Sequence, residues 1–318
     1  MVVRTRSSAR SRRTVEGDVP AAEMPGFIPP QLATLKAKAP AGDRWIHEIK
    51  FDGYRAQVHV DRGRVRVFTR NGYDWTKKFT LIAEAFAKMP IGNAVFDGEI
   101  CVIANGRTDF SALQAELGSG RQRSLVFHAF DLLHLDGYDL RRSPQIERKR
   151  VLEELFTQHR IQAPLLYSQH LTSDGNEMFE HTCRLGWEGI ISKKVDAPYR
   201  SDRSEAWLKI KCVQRESFPI VGFIPNTGGI AALYLGKPSD DGLAYVGKVG
   251  TGFTRKTSID LRKKLDALVT PKTKLSGKVS KPKAVWVNPS LQADVEFRDI
   301  TSEGYLRHSS FKGLKGGN

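Results

Sequence analysis

The sequence predicts an α+β chain in two parts, antiparallel sheets with helices followed by a small β-barrel of the OB type. Two observations carry that prediction. Up to Cys212, alternating apolar runs of strand length are separated by amphipathic stretches at helical spacing. Beyond Cys212 the strands shorten, the turns become rich in Gly, Pro and Asp, and a single amphipathic helix remains. A length of 318 residues accommodates two such units, each with its own core.

Residues 1–23 carry Arg4, Arg6, Arg10, Arg12 and Arg13 among Ser and Thr and read as a disordered basic arm. The first folded unit is expected over 24–212, with Phe27, Ile28 and Leu32 packing on its core. Trp45, Ile46 and Ile49 mark a strand, and the runs 56–60 and 65–69 on either side of Asp61-Arg62-Gly63 read as a hairpin. Asn71-Gly72 marks a tight turn. Leu81, Ile82, Ala85, Phe86 and Met89 give a helix over 79–89 one apolar side. The strand over 93–104 is interrupted by Asp97 and Glu99, and two carboxylates in an apolar run are costly to desolvate without partners. Either this is a surface edge or it lines a cleft that binds metal or phosphate.

A helix over 109–117 and a strand over 125–133 follow. Ser143 and Pro144 supply a cap and a first helical residue for a helix to about His159. Next come a strand at 165–167, a helix near 177–185 stopped by Gly186, and strands over 187–194 and 207–211. The last of these puts Lys209 and Lys211 on one face. The domain boundary falls within 211–217, so the second unit is 213–318. It contains strands over 218–224, 231–235, 243–249, 284–287 and 293–300 and a helix over 254–269, which fits a small barrel. The stretch 271–283 reads as a mobile loop whose Lys272, Lys274, Lys278, Lys281 and Lys283 either grip phosphates or are simply solvated.

Fifty Lys plus Arg against 35 Asp plus Glu leave a net charge of +15, which favours a polyanionic partner. No apolar run approaches the ~18 residues of a membrane span. Cys101, Cys183 and Cys212 form no C-x-x-C pair and no zinc pattern, and they read as reduced thiols of a cytosolic protein.

The chemistry centres on Glu48-Ile49-Lys50-Phe51-Asp52-Gly53-Tyr54-Arg55. A lysine at a rigid strand end, facing a cleft, is an amine able to act as a nucleophile. Read alone, Lys50 and Arg55 are equally well solvated charges beside a turn. Further stretches occur downstream in a fixed order: Thr69-Arg70-Asn71-Gly72, Asp97-Gly98-Glu99, Phe127-His128-Ala129-Phe130-Asp131, Glu188-Gly189-Ile190-Ile191 and Trp207-Leu208-Lys209-Ile210-Lys211. Near the C-terminus stands Gly304-Tyr305-Leu306-Arg307-His308-Ser309-Ser310-Phe311-Lys312-Gly313-Leu314.

On these motifs the chain, from about residue 24 to 315, resembles the covalent nucleotidyltransferases, and within them the ATP-dependent DNA ligases of the bacterial end-joining type. The resemblance implies a nucleotidyltransferase adenylation domain (ATP-grasp-like) followed by the OB barrel. It implies a reaction in which Lys50 takes AMP from ATP, passes it to a 5′-phosphate, and a 3′-hydroxyl then seals the nick. Glu48, Arg55, Arg70, Glu99, Phe130, Lys209 and Lys211 would contact the nucleotide. Phe130 would stack on adenine, with Phe127 as its competitor, while Trp207 would be core. Glu99 and Glu188 would hold Mg²⁺, for which Mn²⁺ substitutes, although Glu99 also suits the ribose. Arg307, Lys312 and Lys315 would orient pyrophosphate, Lys315 standing where relatives carry arginine. The implied partners are nicked duplex DNA and a Ku-type end-binding protein, acting on a cytoplasmic, nucleoid-associated monomer. RNA ligases and mRNA capping enzymes are the nearest alternative, and a DNA-binding protein that keeps only the fold is the next.

Overall fold

The computed structural model describes residues 22–277, 279, 283–301 and 303–315. Nearly all of the basic arm therefore lies outside the described residues, as do Lys278 and Lys281. The chain divides into two compact units, Met1–Cys212 and Val213–Asn318.

In the first unit the strands are β1 (Leu32–Leu35), β2 (Trp45–Ile49), β3 (Tyr54–Asp61), β4 (Arg64–Thr69), β5 (Asn93–Ala104), β6 (Arg107–Thr108), β7 (Leu125–Leu135), β8 (Tyr138–Asp139), β9 (Leu165–Tyr167), β10 (His170–Leu171), β11 (Gly189–Lys194) and β12 (Arg203–Lys211). Its helices are α1 (Thr80–Ala87), α2 (Phe110–Gly118), α3 (Gln145–Gln158) and α4 (Gly175–Arg184). One sheet has the order β4-β3-β5-β7-β8, with β6 on β5 and β9 on β7, and the other has the order β1-β12-β11-β2-β10. The carboxylate-bearing strand β5 is interior, paired on both sides by β3 and β7, so the surface-edge alternative falls away.

The two sheets meet through Ile28, Val95, Leu133, Tyr199 and Trp207, which form one buried cluster with Phe130 packed against it. On its other face the larger sheet is covered by α1 and α3. Ile82 and Phe86 from α1, and Val151, Leu152, Leu155 and Phe156 from α3, join its core. Each such side chain contributes about 1.5–3 kcal/mol on burial. The start of α3 is held by polar contacts. Arg148, fully buried, donates Nε and Nη2 to Asp131 at 2.8 and 2.9 Å, and Gln145 Oε1 accepts from Trp207 Nε1 at 2.8 Å. These bonds replace the cap expected of Ser143. Pro144 occupies the cap position and no side chain caps the helix.

A second expectation is also corrected. Cys183 and Cys212 are joined in a disulfide, with Cα atoms 5.4 Å apart, and only Cys101 is a free, buried thiol. The pairing arises from tertiary structure, because β11 returns from the end of α4 to pair with β12, and the Cys212 N–H donates to the Glu188 carbonyl at 3.0 Å.

In the second unit, β13 (Gln214–Asn226), β14 (Gly229–Ser239), β15 (Gly242–Val249), β16 (Val285–Trp286), β17 (Gln292–Phe297), β18 (Asp299–Ile300), β19 (Leu306–Arg307) and β20 (Ser310–Leu314) accompany α5 (Arg255–Asp266). Thr254 and Thr257 cap α5 reciprocally. The main sheet runs β15-β14-β13-β17-β20, with β16 on β13, around Phe218, Phe223, Leu233, Val249, Leu261 and Phe297. Two details differ from the sequence expectation. The 310–314 segment, given no secondary structure by the sequence, is a strand paired with β17. The lysine-rich loop is pinned at its start, where buried Leu275 bridges Leu243 and the Ser276 N–H donates to the Leu243 carbonyl at 2.9 Å. Among the described residues no helix is long and apolar enough to cross a membrane.

Candidate active site

A cavity of about 320 Å³ lies in the first unit and takes its walls from both sheets. Lys50 enters it at the end of β2, where the Lys50 N–H donates to the Gly189 carbonyl at 2.9 Å and so continues the strand by one residue. Gly53, three positions on, is required by close approach, since a Cβ there would stand 2.1 Å from the Ile100 carbonyl oxygen. Asp52-Gly53 thus carries the chain from one sheet to the other, and the hairpin turn itself is at Arg62-Gly63.

The Lys50 ammonium donates a hydrogen bond to Glu188 Oε2, and Lys211 Nζ lies 3.1 Å from Glu188 Oε1. Glu188 is only 4% exposed at its side chain and so sits buried between two cations. It immediately precedes Gly189, whose φ of +142° and approach to Ile210 O exclude a side chain. In register, Glu48 faces Ile191, and Ile191 faces Lys209, which brings β2, β11 and β12 residues to one wall. Burial, with Arg203, Lys211, Lys50 and Arg70 nearby, lowers the Lys209 pKa.

The opposite wall is a cross-strand row in which Arg55 pairs with Glu99 and Glu99 with His128. Burial pushes the Glu99 carboxyl up to about 7, opposed by Lys50 and Arg55 and reinforced by Glu188 and Asp97. Arg55 grips Asp97 through Nε and Nη2 at 2.9 and 2.6 Å and donates Nη1 to the Gln31 carbonyl at 2.7 Å. Phe130 lines the cavity with Arg55 and Lys193 over its ring at 5.1 and 4.6 Å, whereas Phe127 is fully buried in the core against Phe86. Trp207 is 3% exposed, meets Phe130 edge-on and also borders the cavity. Arg70 stands exposed at the rim.

Glu48 borders the cavity while bound into a buried cluster. Its carboxylate lies 2.8 Å from Lys193 and 3.3 Å from Lys149 and accepts from Ser168 Oγ at 2.9 Å. Burial pulls the Lys149 amine down to about 8 against the attraction of Glu48. Lys149, Lys193 and Arg203 are functional candidates that the sequence alone does not single out. For Lys193, the strand alternation from Ile191 is a usable signal, whereas Lys149 sits on a helix face that looks solvated. Lys312 and Lys315 lie in the second unit on and just after β20, Lys312 paired with Glu296 at 2.7 Å, and Arg307 lies on β19. Lys272, Lys274 and Lys283 are exposed.

Among the described residues no three His, Cys, Asp or Glu side chains converge as a metal cluster. Mg²⁺ nonetheless takes one or two carboxylates and fills its shell with waters and phosphates, so Glu99 and Glu188 fit it. A cation there would also relieve the ionisation cost of Glu99. That cost gives a pH prediction. The Glu99 pKa is raised from 4.5 in an unfolded chain to about 7 in the fold, so the folded chain holds the extra proton between those values and stability falls as pH rises through them. Glu99→Gln should therefore raise the melting temperature of nucleotide-free protein at pH 8 by roughly 5–10 °C and leave it nearly unchanged at pH 4.5. Calorimetry at the two pH values checks this.

An amine held at a strand end by a carboxylate, in a cation-rich cleft with an aromatic wall, is the arrangement of the covalent nucleotidyltransferases, and the two-sheet scaffold is theirs. Comparison with known proteins narrows the class. Residues 30–211 match the ATP dependent DNA ligase domain and residues 226–316 the ATP dependent DNA ligase C terminal region. The chain belongs to the ATP-dependent DNA ligases. It is 37% identical over 302 residues to the multifunctional non-homologous end joining protein LigD of Pseudomonas aeruginosa, covering 92% of this chain and 36% of that protein. It is 33% identical over 301 residues to LigD of Mycolicibacterium smegmatis, covering 92% and 39%. The chain thus spans a little over a third of the length of these relatives. The crystal structure of the ligase domain of M. tuberculosis LigD superposes with a TM-score of 0.57 at 32% identity, covering 90% of this chain and 94% of that domain. A Lig E DNA ligase shares the fold, with a TM-score of 0.61 at 20% identity.

Proposed function

We propose that this chain seals 5′-phosphate/3′-hydroxyl nicks in duplex DNA through a lysyl-AMP formed on Lys50, in the setting of end joining. The observation that supports it most strongly is the Lys50 ammonium held by Glu188 inside a cavity lined by Phe130 and ringed by Arg55, Arg70, Lys209 and Lys211. To attack the α-phosphorus, the Lys50 ammonium passes a proton to solvent and gives up its contact with Glu188. Lys211 remains on Glu188, so the buried carboxylate keeps a cation. A bond forms from Nζ to phosphorus, and pyrophosphate departs with the electron pair of the cleaved P–O bond. Lys209 and Arg70 supply donors to the phosphoryl oxygens as charge develops. Phe130 offers its ring to adenine, and Glu48 offers polar contact at the cavity edge. Mg²⁺, held by Glu99 and Glu188, would neutralise phosphate charge when bound.

Incubation with α-labelled ATP followed by denaturing electrophoresis tests the proposal, since only covalently attached AMP survives denaturation. Arg307, Lys312 and Lys315 serve the pyrophosphate in that first step. The protein works as a monomer beside a Ku-type partner at DNA ends in the cytoplasm, associated with the nucleoid.

The basic loop belongs to the DNA-binding surface in this proposal. Neutralising Lys272, Lys274, Lys278, Lys281 and Lys283 together should weaken nick binding and flatten its salt dependence, by roughly 0.9 in log–log slope for each phosphate the loop no longer neutralises. An unchanged slope in a binding titration would return these lysines to solvent.

A further inference from the structure

Phe51, which lines the cavity, and two rings beside it, Trp187 and His128, are each coupled to one of the cavity's charged groups by the chain or by strand register. Phe51 directly follows Lys50, and Trp187 directly precedes Glu188. His128 on β7 is the cross-strand neighbour of Glu99 on β5. The rings touch one another. Phe51 lies flat on His128, with centroids 3.9 Å apart and planes 15° apart, and Trp187 presents its edge to Phe51 at 6.1 Å and 79°.

His128 is an unusual choice for such a position. Both of its ring nitrogens are buried and neither has a hydrogen-bond partner. A buried polar atom without a partner is costly, so the ring is not held by hydrogen bonding. Its contact with Phe51 is through the flat face. Burial pulls the imidazole down to about 4, so it is neutral at physiological pH and adds no charge beside Glu99 and Lys50.

We infer that His128 is a positioning residue for AMP transfer, a planar platform that with Trp187 fixes Phe51 and through it the direction of the Lys50 side chain. The inference rests on Lys50 being the nucleophile. Phe51 and Lys50 share a peptide unit, and Lys50 lies one residue beyond the last residue of β2, where strand pairing gives way to irregular chain. Without a support under Phe51, the chain just past the Lys50 N–H···Gly189 bond loses its side-chain packing, and the amine samples directions other than toward the cavity. Lys50 then reaches the in-line geometry less often, while Arg55, Arg70, Phe130 and Lys209 on the cavity wall are unchanged. Misplacement by about 1 Å lowers rate by up to 10²-fold.

The test is the single-turnover rate of lysyl-AMP formation across ATP concentrations, in the full chain. His128→Ala and the bulkier His128→Leu should slow the maximal rate about 10- to 100-fold with KM for ATP within twofold of the parent. His128→Phe, which restores a flat ring without nitrogens, should return the rate to within about threefold. Phe51→Leu should show the same loss as His128→Leu, and the double variant should lose no more than either alone. A folded His128→Leu protein at the parental rate, a loss carried by KM instead, or a His128→Phe variant as slow as His128→Ala would each overturn the platform. Lys50→Arg run alongside separates the two levels. If that variant still takes up label, the assignment of the nucleophile has failed. If it is dead while His128→Leu is normal, only the platform has failed.

Discussion

Lys50→Ala is expected to abolish covalent AMP labelling, with a loss of at least about 10³-fold in lysyl-AMP formation. The expectation has a structural complication, because removing Lys50 also removes one of the two cations on buried Glu188. Breaking a buried ion pair from one side costs several kcal/mol when the survivor is left alone. Here Lys211 remains at 3.1 Å, so the cost should be smaller, on the order of 1 kcal/mol. Lys50→Arg resolves the ambiguity. A guanidinium keeps the positive charge for Glu188 but stays protonated and cannot attack phosphorus. Both variants should be unlabelled after denaturing electrophoresis, and Lys50→Arg should melt within about 2 °C of the parent. Both should retain some sealing of a nick that already carries AMP on its 5′-phosphate, because that substrate bypasses the lysine adduct. A folded Lys50→Arg protein with normal labelling would place the nucleophile elsewhere.

Much of the scaffold is legible in the sequence because its signals are local. The apolar run 93–104 coincides with β5, and the alternation of Lys209 and Lys211 puts both on the cavity face. Asp109, which caps α2, and Gly186, which follows α4, mark those helices at the level of single residues. The features that stay hidden depend on distant segments meeting. Nothing near Arg55 reveals that its fork is taken up by Asp97, 42 positions away on the neighbouring strand. Lys149 looks like a solvent-facing charge on α3 until Glu48 on β2 draws it, with Lys193, inside. Cys183 and Cys212, 29 residues apart, carry no spacing signal, and their pairing follows from how β11 and β12 return past α4. The competition between Phe127 and Phe130 for the cavity is settled only by the pleat, which turns Phe127 into the core beneath Gly98. The stretch around Phe311 reads as a motif for chemistry, and nothing within it announces a strand paired with β17.

Strand β20 constrains how the C-terminal cations can be tested. Deleting the segment from Tyr305 onward would remove β20, whose Phe311 is 5% exposed, stacks on Phe253 with ring centroids 4.9 Å apart, and pairs with β17. Loss of a buried phenylalanine alone costs about 3–5 kcal/mol, so a deletion would report on the barrel's folding and not on phosphate chemistry. Point changes avoid this. Lys312 and Lys315 are exposed, and the Lys312–Glu296 pair, with side chains 38% and 29% exposed, contributes at most about 1 kcal/mol. The combined variant Arg307→Ala/Lys312→Ala/Lys315→Ala should therefore stay folded while losing the three positive charges proposed to serve the departing pyrophosphate. Lysyl-AMP formation is expected to fall about 10²-fold, since each charge removed from a developing phosphate anion costs roughly 1–3 kcal/mol when its interaction is confined to the transition state and some compensation comes from neighbours. Sealing of a pre-adenylylated nick releases AMP and no pyrophosphate, and should stay within about threefold of the parent. The discriminating measurement is the ratio of the two rates at matched far-ultraviolet circular dichroism. An equal fall in both steps would remove the step-specific role and assign these cations to DNA contact instead, because binding of DNA would then limit the sealing assay as well.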